Sequence, residues 1–126
     1  MKILLAEDDP SISTVTSLAL QKLGHHEVFV VTNGLQAVEQ ATANQYDLIL
    51  LDSMMPGLDG ISVCRKLKQE QNICAPIIFL SAKSQDYDIV QGMECGAIGY
   101  IVKPFDPRTI CQRIDEILDS QWSQAA

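Results

Sequence analysis

Short apolar runs alternate five times along the chain with stretches whose apolar residues recur at three- and four-residue spacing. The runs are Lys2-Ile3-Leu4-Leu5-Ala6, Val28-Phe29-Val30-Val31, Leu48-Ile49-Leu50-Leu51, Pro76-Ile77-Ile78-Phe79-Leu80 and Gly99-Tyr100-Ile101-Val102. Each is brief and nearly continuous in hydrophobicity, the pattern of a strand covered on both faces. The first intervening stretch opens with Asp9-Pro10, an N-cap followed by proline at the first helical position. It carries Ile12, Val15, Leu18, Ala19 and Leu23 before Gly24 closes it. Asn33-Gly34 introduces Leu35, Val38 and Ala41, and Asp59-Gly60 introduces Ile61, Cys64 and Leu67. Ile89, Val90 and Met93 mark a fourth helix ending at Gly96. Asp106-Pro107 repeats the cap-and-proline signal before Ile110, Cys111, Ile114, Ile117 and Leu118. Beyond Ser120 no stripe continues, so residues 121–126 are expected to fray from a domain spanning 1–120.

Strict strand-helix alternation predicts an α/β fold: a doubly wound, five-stranded parallel sheet with helices on both faces. Sites in such sheets form outside the carboxyl ends of the strands, near a topological switch point. The residues that follow each run therefore matter most. Glu7, Asp8 and Asp9 follow the first, Asp52 the third, Ser81 the fourth and Lys103 the fifth, while the second ends in an unremarkable Thr32-Asn33. In the flavodoxin-like order 2-1-3-4-5, strands one and three are neighbours, and Glu7, Asp8 and Asp52 converge. Two like charges ~4 Å apart repel by about 4 kcal/mol at an effective dielectric near 20. Three carboxylates beside one lysine leave a negative excess that a hard divalent cation such as Mg²⁺ would remove. The same grouping suits phosphoryl transfer to a carboxylate nucleophile.

Taken singly, these residues have plainer readings. Asp9 is most simply a helix cap, Glu7 and Asp8 solvated loop acids, Ser81 a turn hydroxyl and Lys103 a surface cation. Asp52 resists such a reading, because Asp59 is the residue placed to cap the next helix. The coincidence at four strand exits is what points to a pocket.

Composition narrows the field further. A net charge of −7, with nine dispersed Lys and Arg, argues against direct nucleic-acid binding. No segment approaches the ~20 apolar residues of a membrane span, and the N-terminus lacks a signal-peptide pattern. Cys64, Cys74, Cys95 and Cys111 form no CxxC pair, consistent with idle thiols in a reducing cytoplasm. His25-His26 fall in the turn before the second strand and receive no role.

The segments "ILLAEDDP", "DLILLDSMMPGLDG", "IIFLSAK" and "GYIVKPF" together resemble the receiver domain of two-component response regulators, over Lys2 to about Leu118. The resemblance implies that Asp52 is the phosphoacceptor, taking a phosphoryl group from a sensor histidine kinase or a histidine phosphotransfer protein. It implies that Asp8, Asp52 and the Met54 carbonyl hold Mg²⁺, with Glu7 acting through water. Lys103 and Ser81 would contact the phosphoryl group, Lys103-Pro104 would be cis, and Tyr100 would be the switch aromatic. Met54 and Lys83 would tune dephosphorylation. Such a domain is no enzyme beyond its own Mg²⁺-dependent phosphorylation and dephosphorylation. It signals by changing the face of its fourth helix, fifth strand and fifth helix toward a downstream protein.

The chain departs from the pattern of winged-helix regulators at Ile98 and Gly99, where those proteins carry two acids that build a charged dimer face. Arg113 does match their basic position. The expected state is a monomer or a weak phosphorylation-dependent dimer, with Ile98 serving an apolar partner surface. The chain reads either as a stand-alone receiver, which Met1 favours, or as a piece of a longer regulator. Three rivals fare worse. A flavin carrier would need a hydroxyl-rich phosphate loop where "EDDP" stands, and an aspartyl phosphohydrolase would need an acid at Met54. A receiver fold kept only as a scaffold would not need the full set of site residues.

Overall fold

The computed structural model describes the backbone of residues 1–82 and 86–125, and the side chains of 1–81 and 90–120. The elements are β1 (Lys2–Ala6), α1 (Pro10–Gly24), β2 (Glu27–Val31), α2 (Gly34–Ala43), β3 (Leu48–Asp52), α3 (Gly60–Arg65), β4 (Ile77–Ala82), α4 (Asp86–Glu94), β5 (Gly99–Lys103) and α5 (Ile110–Ala125). All neighbouring strands are parallel, in the order β2-β1-β3-β4-β5. The expected α/β architecture and strand order are present.

Side chains alternate across a strand, so each apolar run feeds two cores. Leu4, Ala6, Ile49, Leu51, Ile77 and Phe79 face one side, with residues of α2 and α3. Ile3, Leu5, Leu48, Leu50, Ile78, Leu80 and Ile101 face the other, with residues of α1 and α5. Burying one such Leu or Ile stabilises the fold by about 1.5–3 kcal/mol. No helix among the described residues is long and apolar enough to cross a membrane.

The helices differ from expectation in phase more than in place. On α1 the buried positions are Ser13, Thr16, Ala19 and Leu20, whereas Val15, Leu18 and Leu23 are exposed. Leu35 on α2 and Val90 and Met93 on α4 are likewise exposed. The cause is the spacing itself. An apolar residue every three or four positions fits two adjacent helical faces, and small Ser, Thr and Ala pack closest to a sheet.

Helix ends differ too. The left-handed residue after α1 is His25 (φ 56°), not Gly24. Gly24 is needed for space, since a Cβ there would lie 2.5 Å from the His26 ring and 2.9 Å from Cys111 Sγ. His26 is half-buried with Nδ1 3.0 Å from the Met1 nitrogen. The helix expected through Leu67 is α3 followed by a π-helical turn, Lys66–Glu70. A 3₁₀ turn, Pro107–Thr109, leads into α5, whose backbone is helical to Ala125. Its last residues contain neither Gly nor Pro, so nothing in them breaks the helix once begun.

Candidate functional site

The register levels the strand exits. Ala6 pairs with Leu51 and Asp52 with Leu80, so Glu7 emerges beside Asp52. Glu7 extends the β1–β2 pairing by one bond, its N–H donating to the Val31 carbonyl at 3.0 Å, which turns its side chain inward. Asp9 caps α1 as expected, accepting from the N–H groups of Ser11 (2.9 Å) and Ile12 (3.4 Å). Asp59 caps α3, accepting from Ser62 N–H at 2.8 Å. Asp52 is thereby left free of capping duty.

The loop after Asp52 is held tightly. Ser53 N–H donates to the Leu80 carbonyl (3.0 Å) and Gly60 N–H to the Ser53 carbonyl (3.1 Å). A Cβ on Gly60 would sit 2.4 Å from the Asp52 carbonyl oxygen. Gly60 therefore lets the start of α3 close against the Asp52 backbone. The sequence had offered it only as a helix-start signal. Asp52 Oδ1 also accepts from Met54 N–H at 3.2 Å.

Lys103, the last residue of β5, reaches across to this cluster. Its Nζ lies 2.6 Å from Glu7 Oε1 and 3.2 Å from Asp52 Oδ1. The Glu7 contact is a close ion pair to a buried carboxylate. Lys103-Pro104 is cis. Carboxylate oxygens of Glu7, Asp8 and Asp52 all lie within 4.8 Å of one another. Among the described residues, no other group of three His, Cys, Asp or Glu side chains approaches so closely.

The electrostatics reflect an uncompensated excess. Burial pushes the Asp52 carboxyl above the usual carboxylate range, and the nearby Glu7 carboxylate adds to the rise. The hydrogen bond from the Met54 amide opposes it without cancelling it. For Lys103, burial pulls downward, but the carboxylates of Glu7 and Asp52 outweigh it and hold the ammonium above its ordinary value. An oxygen-rich cluster of three carboxylates sharing one lysine fits a hard divalent cation. Glu7, Asp8 and Asp52 are the side chains that could hold one.

These residues wall a hollow of about 340 Å³, to which Ile12 and Met54 also contribute. Ser81 is fully buried one register step beyond Asp52's partner, and it is not in the wall. Tyr100 stands outside the hollow, 41% exposed on the edge strand. The Met54 side chain is exposed at the rim. Lys83 lies outside the described residues. Ile98, expected to serve a partner surface, packs half-buried against the α1–α5 core and keeps part of its surface exposed.

A second depression, about 500 Å³ and mainly apolar, adjoins the hollow between α1 and the β5–α5 loop. Ile12, Val15, Pro104, Phe105 and Pro107 line it. Nothing in the sequence reading foresaw it. The available signal was Val15, an apolar residue out of phase with the buried face of its helix.

A family model described as "Response regulator receiver domain" matches residues 3–115. The alkaline phosphatase synthesis transcriptional regulatory protein PhoP of Bacillus subtilis is 42% identical over 117 residues, 93% of this chain and 48% of that protein. The chain thus spans about half the length of that curated relative. The receiver domain of sensor histidine kinase PA1611 from Pseudomonas aeruginosa, solved with a magnesium ion coordinated in its active-site cleft, is 40% identical with a TM-score of 0.78. That likeness covers 90% of this chain and 92% of the other. The chemotaxis response regulator CheY4 of Vibrio cholerae has a TM-score of 0.83 at 30% identity, covering 92% and 97%. The chain belongs to the family of response regulator receiver domains.

Proposed function

We propose that Asp52 accepts a phosphoryl group from a phosphohistidine on a sensor histidine kinase or histidine phosphotransfer protein. Occupancy of Asp52 then alters the α4–β5–α5 face toward a downstream protein or an effector domain. The observation that carries this reading is a buried Asp52 with an upward-shifted pKa, set among two further carboxylates and a lysine at the switch point of the sheet.

An Asp52 oxygen attacks phosphorus as the P–N bond to the donor imidazole breaks. The electron pair leaves with the imidazole nitrogen, which takes up a proton. Mg²⁺ held by Asp8, Asp52 and the Met54 carbonyl, with Glu7 acting through water, would neutralise charge on the transferring oxygens. Lys103, already 3.2 Å from Asp52 Oδ1, pairs with the phosphoryl group. Ser81 donates its hydroxyl hydrogen once β4's end shifts toward the hollow, and Tyr100 turns inward as it does so. The added charge of about −1.5 to −2 and three acceptor oxygens bias two packings of one face. Met54, at the rim, governs water access and hence the lifetime of the acyl phosphate, and Lys83 is assigned the same part. The apolar cleft beside the hollow supports docking of the donor protein, because a partner seated there delivers its histidine next to Asp52.

Incubation with acetyl phosphate and Mg²⁺, followed by peptide mapping, tests the assignment. Label on the Asp52 peptide, lost in Asp52→Asn, is expected. Label retained at that peptide in the variant would sink the proposal.

A further inference from the structure

Half-buried His26 and Cys111 meet where α1 ends. The His26 backbone is fixed, its N–H donating to the Leu20 carbonyl at 3.1 Å. Its Nδ1 faces the Met1 nitrogen, which leaves Nε2 as the ring nitrogen turned toward Gly24. Cys111 comes from the first turn of α5, beside the buried Ile110 and Ile114 that seat this helix on its core. Its thiol is in no disulfide and lies 3.8 Å from the Ala19 carbonyl. A Cβ on Gly24 would stand 2.6 Å from His26 Nε2 and 2.9 Å from Cys111 Sγ. Ring nitrogen and thiol therefore border the same space, left by the missing side chain. Asp115 follows Cys111 by four residues, so it shares that face of α5, and it is exposed. Its carboxylate is within electrostatic reach of both, favouring the charged imidazole and opposing the thiolate.

We infer that His26 Nε2, Cys111 Sγ and the Asp115 carboxylate form a second cation site, for a divalent ion of the zinc class, joining the α1–β2 turn to α5. The inference is independent of the phosphoacceptor reading of Asp52. An imidazole nitrogen, a thiolate and a carboxylate, with water as fourth ligand, make a tetrahedral set suited to Zn²⁺, whereas Mg²⁺ takes oxygen ligands. The two sites thus select different ions. Burial holds the His26 ring below its ordinary pKa, which keeps it neutral and able to ligate. Burial, aided by Asp115, holds the Cys111 thiol protonated, and the ion displaces that proton to solvent. With Nε2 on the ion, the ring proton moves to Nδ1 and the Met1 ammonium gives one up, so this pair releases a proton as well. The three ligands are less closely gathered than Glu7, Asp8 and Asp52. The exposed Asp115 side chain closes the set by turning toward the ring and the thiol.

Co²⁺ titration of the reduced, intact chain tests this, with Mg²⁺ in excess so that the acidic hollow is occupied. The wild type should bind a single equivalent with a thiolate-to-cobalt charge-transfer band in the near ultraviolet, and Zn²⁺ should bleach the band by displacement. Zn²⁺ should also raise the urea midpoint of the wild type but not that of Cys111→Ser. Cys111→Ser should lose the band. His26→Gln and Asp115→Asn should each weaken Co²⁺ binding by roughly tenfold or more, since losing even an outer partner of a metal ligand costs about that much. No thiolate band in the wild type overturns the site. A band that survives Cys111→Ser does so too, because the thiolate would then be Cys64, Cys74 or Cys95. Should Cys111→Ser fail to fold, the other two variants decide, and undiminished binding by either overturns the site.

Discussion

Ile12 and Lys103 stand in the walls of two neighbouring depressions of opposite character. On one side is the acidic hollow, where Glu7, Asp8 and Asp52 crowd a single ammonium. On the other is an apolar cleft floored by Val15, Phe105 and Pro107. The hollow gathers the acids and the lysine, with Ser81 buried just outside its wall. The cleft is mainly apolar and, Lys103 aside, carries no charged side chain. The two depressions share a wall yet differ in character.

The largest effect in separating them falls on the hollow. Breaking a buried ion pair by removing one partner costs about 3–5 kcal/mol. Lys103→Met should fall at the lower end, about 3 kcal/mol in metal-free protein, because the lysine keeps some contact with solvent. Urea denaturation in chelator measures it. A loss within about 0.5 kcal/mol, as for an ordinary surface change, would mean the two carboxylates do not depend on Lys103.

The cleft is probed by Val15→Asp, at a residue 45% exposed. Stability should move by no more than about 0.5 kcal/mol. Transfer from a phosphohistidine protein should fall roughly tenfold, equivalent to about 1.4 kcal/mol, whereas labelling by acetyl phosphate stays unchanged. Equal losses with both donors would merge the two depressions into one functional unit.

A smaller, pH-dependent effect separates the charge of Asp52 from its chemistry. Its folded pKa is raised by burial and by Glu7, so the folded state holds a proton over a range where the unfolded chain has released it. Stability due to this group therefore declines as pH rises from the ordinary carboxylate range through the raised value, then levels off. Asp52→Asn lacks that decline. Without metal, its stability relative to wild type should increase with pH across that window, read from denaturation midpoints at successive pH values. A constant difference would contradict the upward shift.

The same contrast explains what was legible in the sequence. The strand exits were readable because period-two alternation and continuous apolar runs leave few choices of register, and Glu7, Asp8, Asp52 and Lys103 followed directly. Asp59 as cap could be read from its position before Gly60. The helical faces were harder. Val15, Leu18, Val90 and Met93 satisfy helical spacing as well as any core residue, and only packing showed that Ser13 and Thr16 are the buried positions. The cleft was missed for that reason. The closeness of Gly60 to the Asp52 carbonyl and the π-helical turn at Lys66–Glu70 depend on tertiary contacts that no local pattern encodes.

What the hollow needs above all is positive charge, and Mg²⁺ titration by calorimetry measures that need most directly. Wild-type protein should bind the ion at a single site, and saturation to 100 times Kd should stabilise the fold by about 2.7 kcal/mol. Asp8→Asn should weaken binding at least tenfold without disturbing the apolar cleft. Absence of Mg²⁺ binding by the wild type, or undiminished binding by Asp8→Asn, would contradict the account.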